Sequence, residues 1–379
     1  MKGKERNLNL DLIRCAAVCF VLSVHFFYNN EFYGVPVMGR RMYLMVVMRT
    51  LFVICVPLFL LLTGYLCNRK MPSRGYYRGI RHTLMLYVLM ALICLAARTF
   101  LFHEALSPIR WITAILDFSA CRYGWYVEMY IGLFLLIPFL NVLYHGLDTQ
   151  KKKLALVLTY LLLTTAPSLT NIFDWTTPGF WRDPSTATGY AQILPDWWTL
   201  FYPITYYFIG AYLSEYDIKI SRRVNFAALL GCVLLFSGFN IYRCAGEKFI
   251  WEESFVDWGG FENVIDSVLC FVLLSHLNLS RCKRPVRAVI TKVSELSLGI
   301  YLASAVTDQL LYPWLNRTVP DMIYRLNYYP LVVPATFLMA LVIAQLATWL
   351  LIPLERGLDR LIARRKRDLA AAGRPNDGT

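Results

Sequence analysis

Stretches of about twenty apolar residues, the length an α-helix needs to cross a bilayer core, recur from one end of this chain to the other. No other feature constrains the fold as much. In hydrocarbon, backbone N–H and C=O groups find no water, so each segment has to satisfy them internally by coiling into a helix. Ten such spans are expected, near 9–28, 44–67, 83–102, 124–144, 154–167, 197–214, 225–242, 262–278, 290–313 and 329–353. The fifth is short, with Pro167 as its expected cap. Composition agrees: 57% of the residues are hydrophobic and 17% charged, against roughly 45–50% and 25% in soluble domains. A disordered chain, a small disulfide scaffold and a typical cytosolic enzyme are excluded. The expected fold is an all-α, polytopic membrane helix bundle of about ten transmembrane helices.

Lys and Arg crowd the N-terminus, the loops at 68–82, 145–153, 215–224 and 279–292, and the C-terminus, and are sparse in the alternate loops. The crowded side is expected to be cytoplasmic. Both termini then lie inside, as an even number of spans requires, in a multi-pass protein of the plasma membrane. Asp11 and Arg14 interrupt the first apolar stretch and no small-residue cleavage site follows, which argues against a signal peptide. Residues 1–363 are read as one transmembrane domain and 364–379 as a basic, irregular cytoplasmic tail.

The net charge of +13 raises the question of nucleic acid. The basic run at 281–292 lacks interleaved aromatics, however, and reads as a lipid-facing loop, so no nucleic-acid partner is expected. The ten cysteines follow no metal-ligand spacing and mostly sit within apolar runs, so no metal is expected. Cys121 and Cys244 fall in loops and form the one pairing considered.

The first span, NLDLIRCAAVCFVLSVHFF, carries Asp11, Arg14 and His25. At about 100° per residue, Arg14 and His25 fall within roughly 20° of one face and about 16 Å apart along the axis, with Asp11 on the same side. Titratable groups at that depth cost several kcal/mol unless they face a partner or a hydrated cavity. Two readings stand. Either Asp11 and Arg14 pair at the helix start while His25 bonds a carbonyl, or the stripe lines a cavity in which the imidazole acts as a general base. The ninth span carries Ser294, Ser297, Ser304 and Asp308, and is expected to face protein or a cavity.

The Arg14-x10-His25 pattern resembles the membrane-bound acyltransferase-3 family, whose members move acetyl and related groups onto carbohydrates. CVPLFLLLTGYLC (55–67), the Arg78-x-x-Arg81 pair in YYRGIRHTLMLY, GWYVEMYIGLFLLIPFLN (124–141) and LSLGIYLASAV (296–306) resemble further motifs of that family, in the same order. One departure stands out: Ser304 occupies the place where many relatives carry a second His. The resemblance implies transfer of an acyl group, most simply acetyl, from cytoplasmic acyl-CoA to a hydroxyl of a lipid-linked or surface glycan. His25 would be the base or acyl carrier, Asp11 and Arg14 would set local charge and help position the donor, with Arg14 among its binding residues, and Arg78 and Arg81 would bind the donor's phosphates. Arg69, Lys70 and Arg74 are also read as ordinary positive-inside residues. Glu128, set among Trp125, Tyr126 and Tyr130, is read as orienting His25, as sitting on the acceptor path, or as a solvated interfacial carboxylate. The 168–196 loop, with Asp174, Trp175, Trp181 and Asp183, suits either sugar stacking or a membrane-interface belt. A transporter or flippase is the rival reading, weakened by the lack of an internal repeat.

Overall fold

The computed structural model describes residues 6–187, 189–244, 246–250 and 255–372. Its elements are α1 (Leu8–Asn29), α2 (Gly39–Phe52), α3 (Cys55–Cys67), α4 (Arg74–Arg78), α5 (Ile80–Ala96), α6 (Pro108–Leu116), α7 (Trp125–His145), α8 (Gln150–Thr170), α9 (Tyr202–Glu215), α10 (Arg222–Cys244), α11 (Phe261–Ser275), α12 (Arg284–Thr318), α13 (Met322–Arg325) and α14 (Tyr329–Ala372). Among the described residues there is no strand, only an isolated bridge between Pro36 and Lys248. The protein is an all-α membrane helix bundle. Eight helical segments are long and apolar enough to cross a bilayer. The sixth and eighth expected spans form α9 and α11, which fall short of that length at 14 and 15 residues. A six-residue 3-10 turn, Asp196–Phe201, leads into α9.

Local chemistry explains the element ends. Asn7, Ser73, Ser107 and Thr149 each turn a side-chain oxygen onto a backbone N–H of the following helix, satisfying donors that have no intrahelical partner. The second expected span is broken at Val53–Ile54, between α2 and α3. Pro57 has no N–H to return to the Val53 carbonyl, so the ladder cannot run through that point. Pro167, expected to cap the fifth span, lies inside α8, which continues to Thr170. The tail expected to be irregular from 364 instead continues α14 to Ala372, where Leu and Ala are strong helix formers; residues 373–379 lie outside the described residues.

α1 is central, packed against α2, α3, α11, α12 and α14. Close approaches elsewhere depend on missing side chains. A Cβ on Gly64 of α3 would sit 2.0 Å from the Tyr207 carbonyl oxygen of α9, and one on Gly210 of α9 would sit 2.1 Å from that of Leu61 on α3. The two glycines let these backbones touch, as small residues do between membrane helices. Cys121, considered above with Cys244, lies beside Cys94 instead.

Candidate active site

The polar residues of α1 and α12 meet in two clusters along a parallel helix pair. Ser294, Ser297, Tyr301, Ser304 and Asp308 follow a three-four spacing, so α12 presents them on one face, and all five are buried. Asp11 meets this face at Ser294 and His25 meets it at Ser304 and Asp308.

In the first cluster the Ser294 hydroxyl donates to Asp11 Oδ1 at 2.7 Å and accepts from Arg14 Nη1 at 3.0 Å. Arg6 donates to Asp11 twice, from Nε at 2.6 Å and Nη2 at 3.0 Å. Arg6, outside the span, has its basicity raised by these bonds, which outweigh its desolvation. Arg14 stands 3.8 Å from Asp11. The expected Asp11–Arg14 pair is therefore a loose one, with Arg6 the closer partner of the carboxylate. Arg14, held to α12 through Ser294, lines a cavity of about 230 Å³ together with Thr63, Thr83, Tyr126, Tyr130 and Ser297.

The second cluster surrounds His25, which is 7% exposed. Its Nδ1 lies 3.1 Å from Asp308 Oδ2 and 3.2 Å from Ser304 Oγ. Ser304 spends its own proton on the Tyr301 carbonyl at 2.7 Å, so both neighbours of Nδ1 are acceptors. That assigns the imidazole proton to Nδ1 and leaves the lone pair on Nε2. The Tyr123 ring stacks on the imidazole with centroids 3.7 Å apart. Its hydroxyl donates to Asp308 Oδ2 at 2.9 Å and accepts from Asn29 Nδ2 at 3.1 Å. Burial lifts the titration of Tyr123 well above the usual phenol range, which keeps that donor proton in place. Tyr123 comes from the 117–124 loop. A Cβ on Gly124 would fall 2.1 Å from the Phe118 carbonyl oxygen, and Phe118 itself has φ +58°. Only glycine fits that turn.

His25 lines a second cavity, of about 440 Å³, walled largely by aromatics: Tyr28, Tyr33, Tyr123, Trp125, Trp258 and Tyr301. Trp125 and Trp258 stack at 4.3 Å. Arg49, Arg122 and Asp257 also reach its lining. The guanidinium of Arg49 is buried, 3.4 Å from Glu262 and 3.3 Å from the Val256 carbonyl oxygen. Burial raises the Asp257 carboxyl above its ordinary range, with Arg49 working against it. The break at Val53–Ile54 places Val53, Cys55 and Val56 on the same wall, a site where a membrane helix tolerates irregular backbone.

Arg14 and His25 open into adjoining cavities, and Val21, Val56 and Tyr301 line both. Glu128 does not reach His25. It is exposed on α7 and absent from both linings, while Asp308 takes the orienting position. Arg78 ends α4 and Arg81 lies in the first turn of α5; Arg78 is exposed, and Arg81 contacts Asp359 at 2.5 Å. Thr83, two residues beyond Arg81, is on the Arg14 cavity wall. Trp175 and Trp181 of the 168–196 loop stay exposed and lie outside the His25 cavity, whose lining includes 256–258 instead. Among the described residues no cluster of His, Cys, Asp and Glu could hold a metal ion.

A family model described as an acyltransferase domain matches residues 7–349. The chain belongs to the acyltransferase-3 family. No curated protein and no solved structure matches it. The match runs from the cap of α1 into α14, so both cavities and, Arg6 apart, both polar clusters of this acyltransferase lie within it. Sequence reasoning had placed Asp308 in a polar span without linking it to His25. The signal was its i, i+4 relation to Ser304, which puts both on the face that meets α1. Tyr123 gave no signal beyond its place before the Gly124 motif.

Proposed function

We propose that this acyltransferase moves an acetyl or related acyl group from acyl-CoA, bound from the cytoplasmic side, to a hydroxyl of a lipid-linked or surface glycan at the plasma membrane. One observation carries the reading: the His25 imidazole is pinned through Nδ1 by a buried carboxylate, with its basic Nε2 free and an aromatic-walled cavity beside it. A base held in one tautomer by a carboxylate is the arrangement that acyl transfer to a hydroxyl needs. Nε2 takes the acceptor's proton as the hydroxyl oxygen attacks the thioester carbonyl. The carbon–sulfur bond then breaks, and the departing thiolate takes the proton from Nε2. Asp308 stabilises the imidazolium between these steps.

The donor enters at the Arg14 cavity, where Arg14, Arg78 and Arg81 supply guanidinium groups for its phosphates. The Arg81–Asp359 contact is exposed, so a phosphate displaces Asp359 at little cost. The acceptor occupies the His25 cavity, its sugar ring against Trp125 or Trp258. The two substrates meet where Val21, Val56 and Tyr301 line both cavities. The test is His25→Ala. The variant should reach the membrane at normal level yet leave the glycan without its alkali-labile ester, measured by mass spectrometry. Retained acylation would remove His25 from the chemistry. Acyl label trapped on His25 in a single turnover would replace direct transfer with an acyl-imidazole route.

A further inference from the structure

Two of the ten thiols lie against each other. Cys94, near the α5 end opposite Arg81, and Cys121, in the 117–124 loop, have sulfur atoms 3.3 Å apart. That is inside van der Waals contact and roughly 1.3 Å longer than a covalent S–S bond. Both residues are buried, and Cys94 reaches the wall of a polar cavity of about 180 Å³. By the Lys/Arg distribution this end of the bundle faces away from the cytoplasm, into a compartment where disulfides form and persist.

We propose that Cys94 and Cys121 form a disulfide that staples the Tyr123 loop to α5. The oxidant is a protein or small-molecule disulfide. One cysteine thiolate attacks a sulfur of that disulfide and expels a thiolate. The second cysteine thiolate then attacks the mixed disulfide and expels the other. The two cysteines lose two protons and two electrons, and the oxidant becomes two thiols. The bond acts on the site because Tyr123 is two residues beyond Cys121. Its ring lies on His25, its hydroxyl bonds Asp308, and its carbonyl accepts from the Tyr301 hydroxyl. The loop is also held by the Ala120 N–H to the Ala114 carbonyl at 2.9 Å, by Arg98 to the Ser119 carbonyl at 3.3 Å, by Arg110 to the Ser119 hydroxyl at 3.0 Å and by Arg122 to Asn29 Oδ1 at 2.9 Å. A covalent link from Cys121 to α5 removes the loop's freedom to swing away from His25.

The inference rests on the orientation of the bundle and not on acyl transfer, and its first readout is mass, so either reading can fail alone. Cells carrying the full-length protein are treated with N-ethylmaleimide under denaturing conditions, with or without prior reduction. All but two of the ten thiols should react without reductant, and all ten after it. Digestion should yield one linked pair containing Cys94 and Cys121. Full alkylation without reductant, or a link to any other cysteine, overturns the proposal. In Cys94→Ser and in Cys121→Ser every remaining thiol should react. Reduction should lower the melting temperature of the purified wild type by a few degrees and leave the doubly substituted protein unmoved. Equal melting of oxidised and reduced wild type overturns the staple.

Discussion

Replacing Asp308 by Asn separates charge from shape at the candidate site. Asp308 Oδ2 takes the bonds from Tyr123 and Asn29 and faces His25 Nδ1, while Oδ1 is buried without a hydrogen-bond partner. An amide with its oxygen in the Oδ2 position keeps all three contacts and loses only the charge. At 3.1 Å, and with an effective dielectric of about 20, the attraction between a carboxylate and an imidazolium is about 5 kcal/mol. The dipoles of Tyr123, Asn29 and Ser304 remain and recover part of it, leaving a net loss of about 3–4 kcal/mol in the step that charges His25. At about 1.4 kcal/mol per decade, acylation should slow by roughly 10²–10³-fold. The assay is the initial rate of labelled acyl transfer to glycan in membrane vesicles, normalised to the amount of protein inserted. A variant retaining more than about a tenth of the wild-type rate would refute the reasoning, because the carboxylate would then contribute little to charging the imidazole.

Other substitutions probe the surrounding structure. Tyr123→Phe keeps the stacked ring but deletes the hydroxyl between Asn29 and Asp308, and should cost about 3–10-fold in rate, or about 1 kcal/mol, in the same assay. Glu128→Gln, at an exposed position away from both cavities, should leave the vesicle rate within about twofold; a larger loss would restore a role for that carboxylate. Gly64→Val would force side-chain atoms onto the Tyr207 carbonyl and part α3 from α9. Immunoblots of membranes should show much less folded protein, consistent with destabilisation by more than about 3 kcal/mol.

The helical bundle was legible in the sequence because each span carries its own evidence: an apolar run of fixed length whose backbone bonds close within the segment. Two prolines acted through geometry: Pro57 interrupts the helix within the second span, which still runs as one crossing segment from Gly39 to Cys67, and Pro167 was absorbed by a helix it was expected to end. α9 and α11 are shorter than their apolar runs because flanking residues go into a 3-10 turn and loops. At the site, the stripe of Asp11, Arg14 and His25 was readable from spacing along a single helix. Arg6 as the partner of Asp11 was not, since it lies before the span and folds back onto it.

Periodicity within one rod determined which residues share a face, because rise and rotation per residue are nearly constant. It could not determine which carboxylate faces His25. Glu128 and Asp308 are both remote from it in the chain, and the choice depends on how α7 and α12 pack around α1. The same packing set Arg14 and His25 on adjoining cavities that share Tyr301 and two valines. Spacing within a helix is a property of the backbone, whereas juxtaposition between helices is a property of their shared interface, and only the folded bundle contains it.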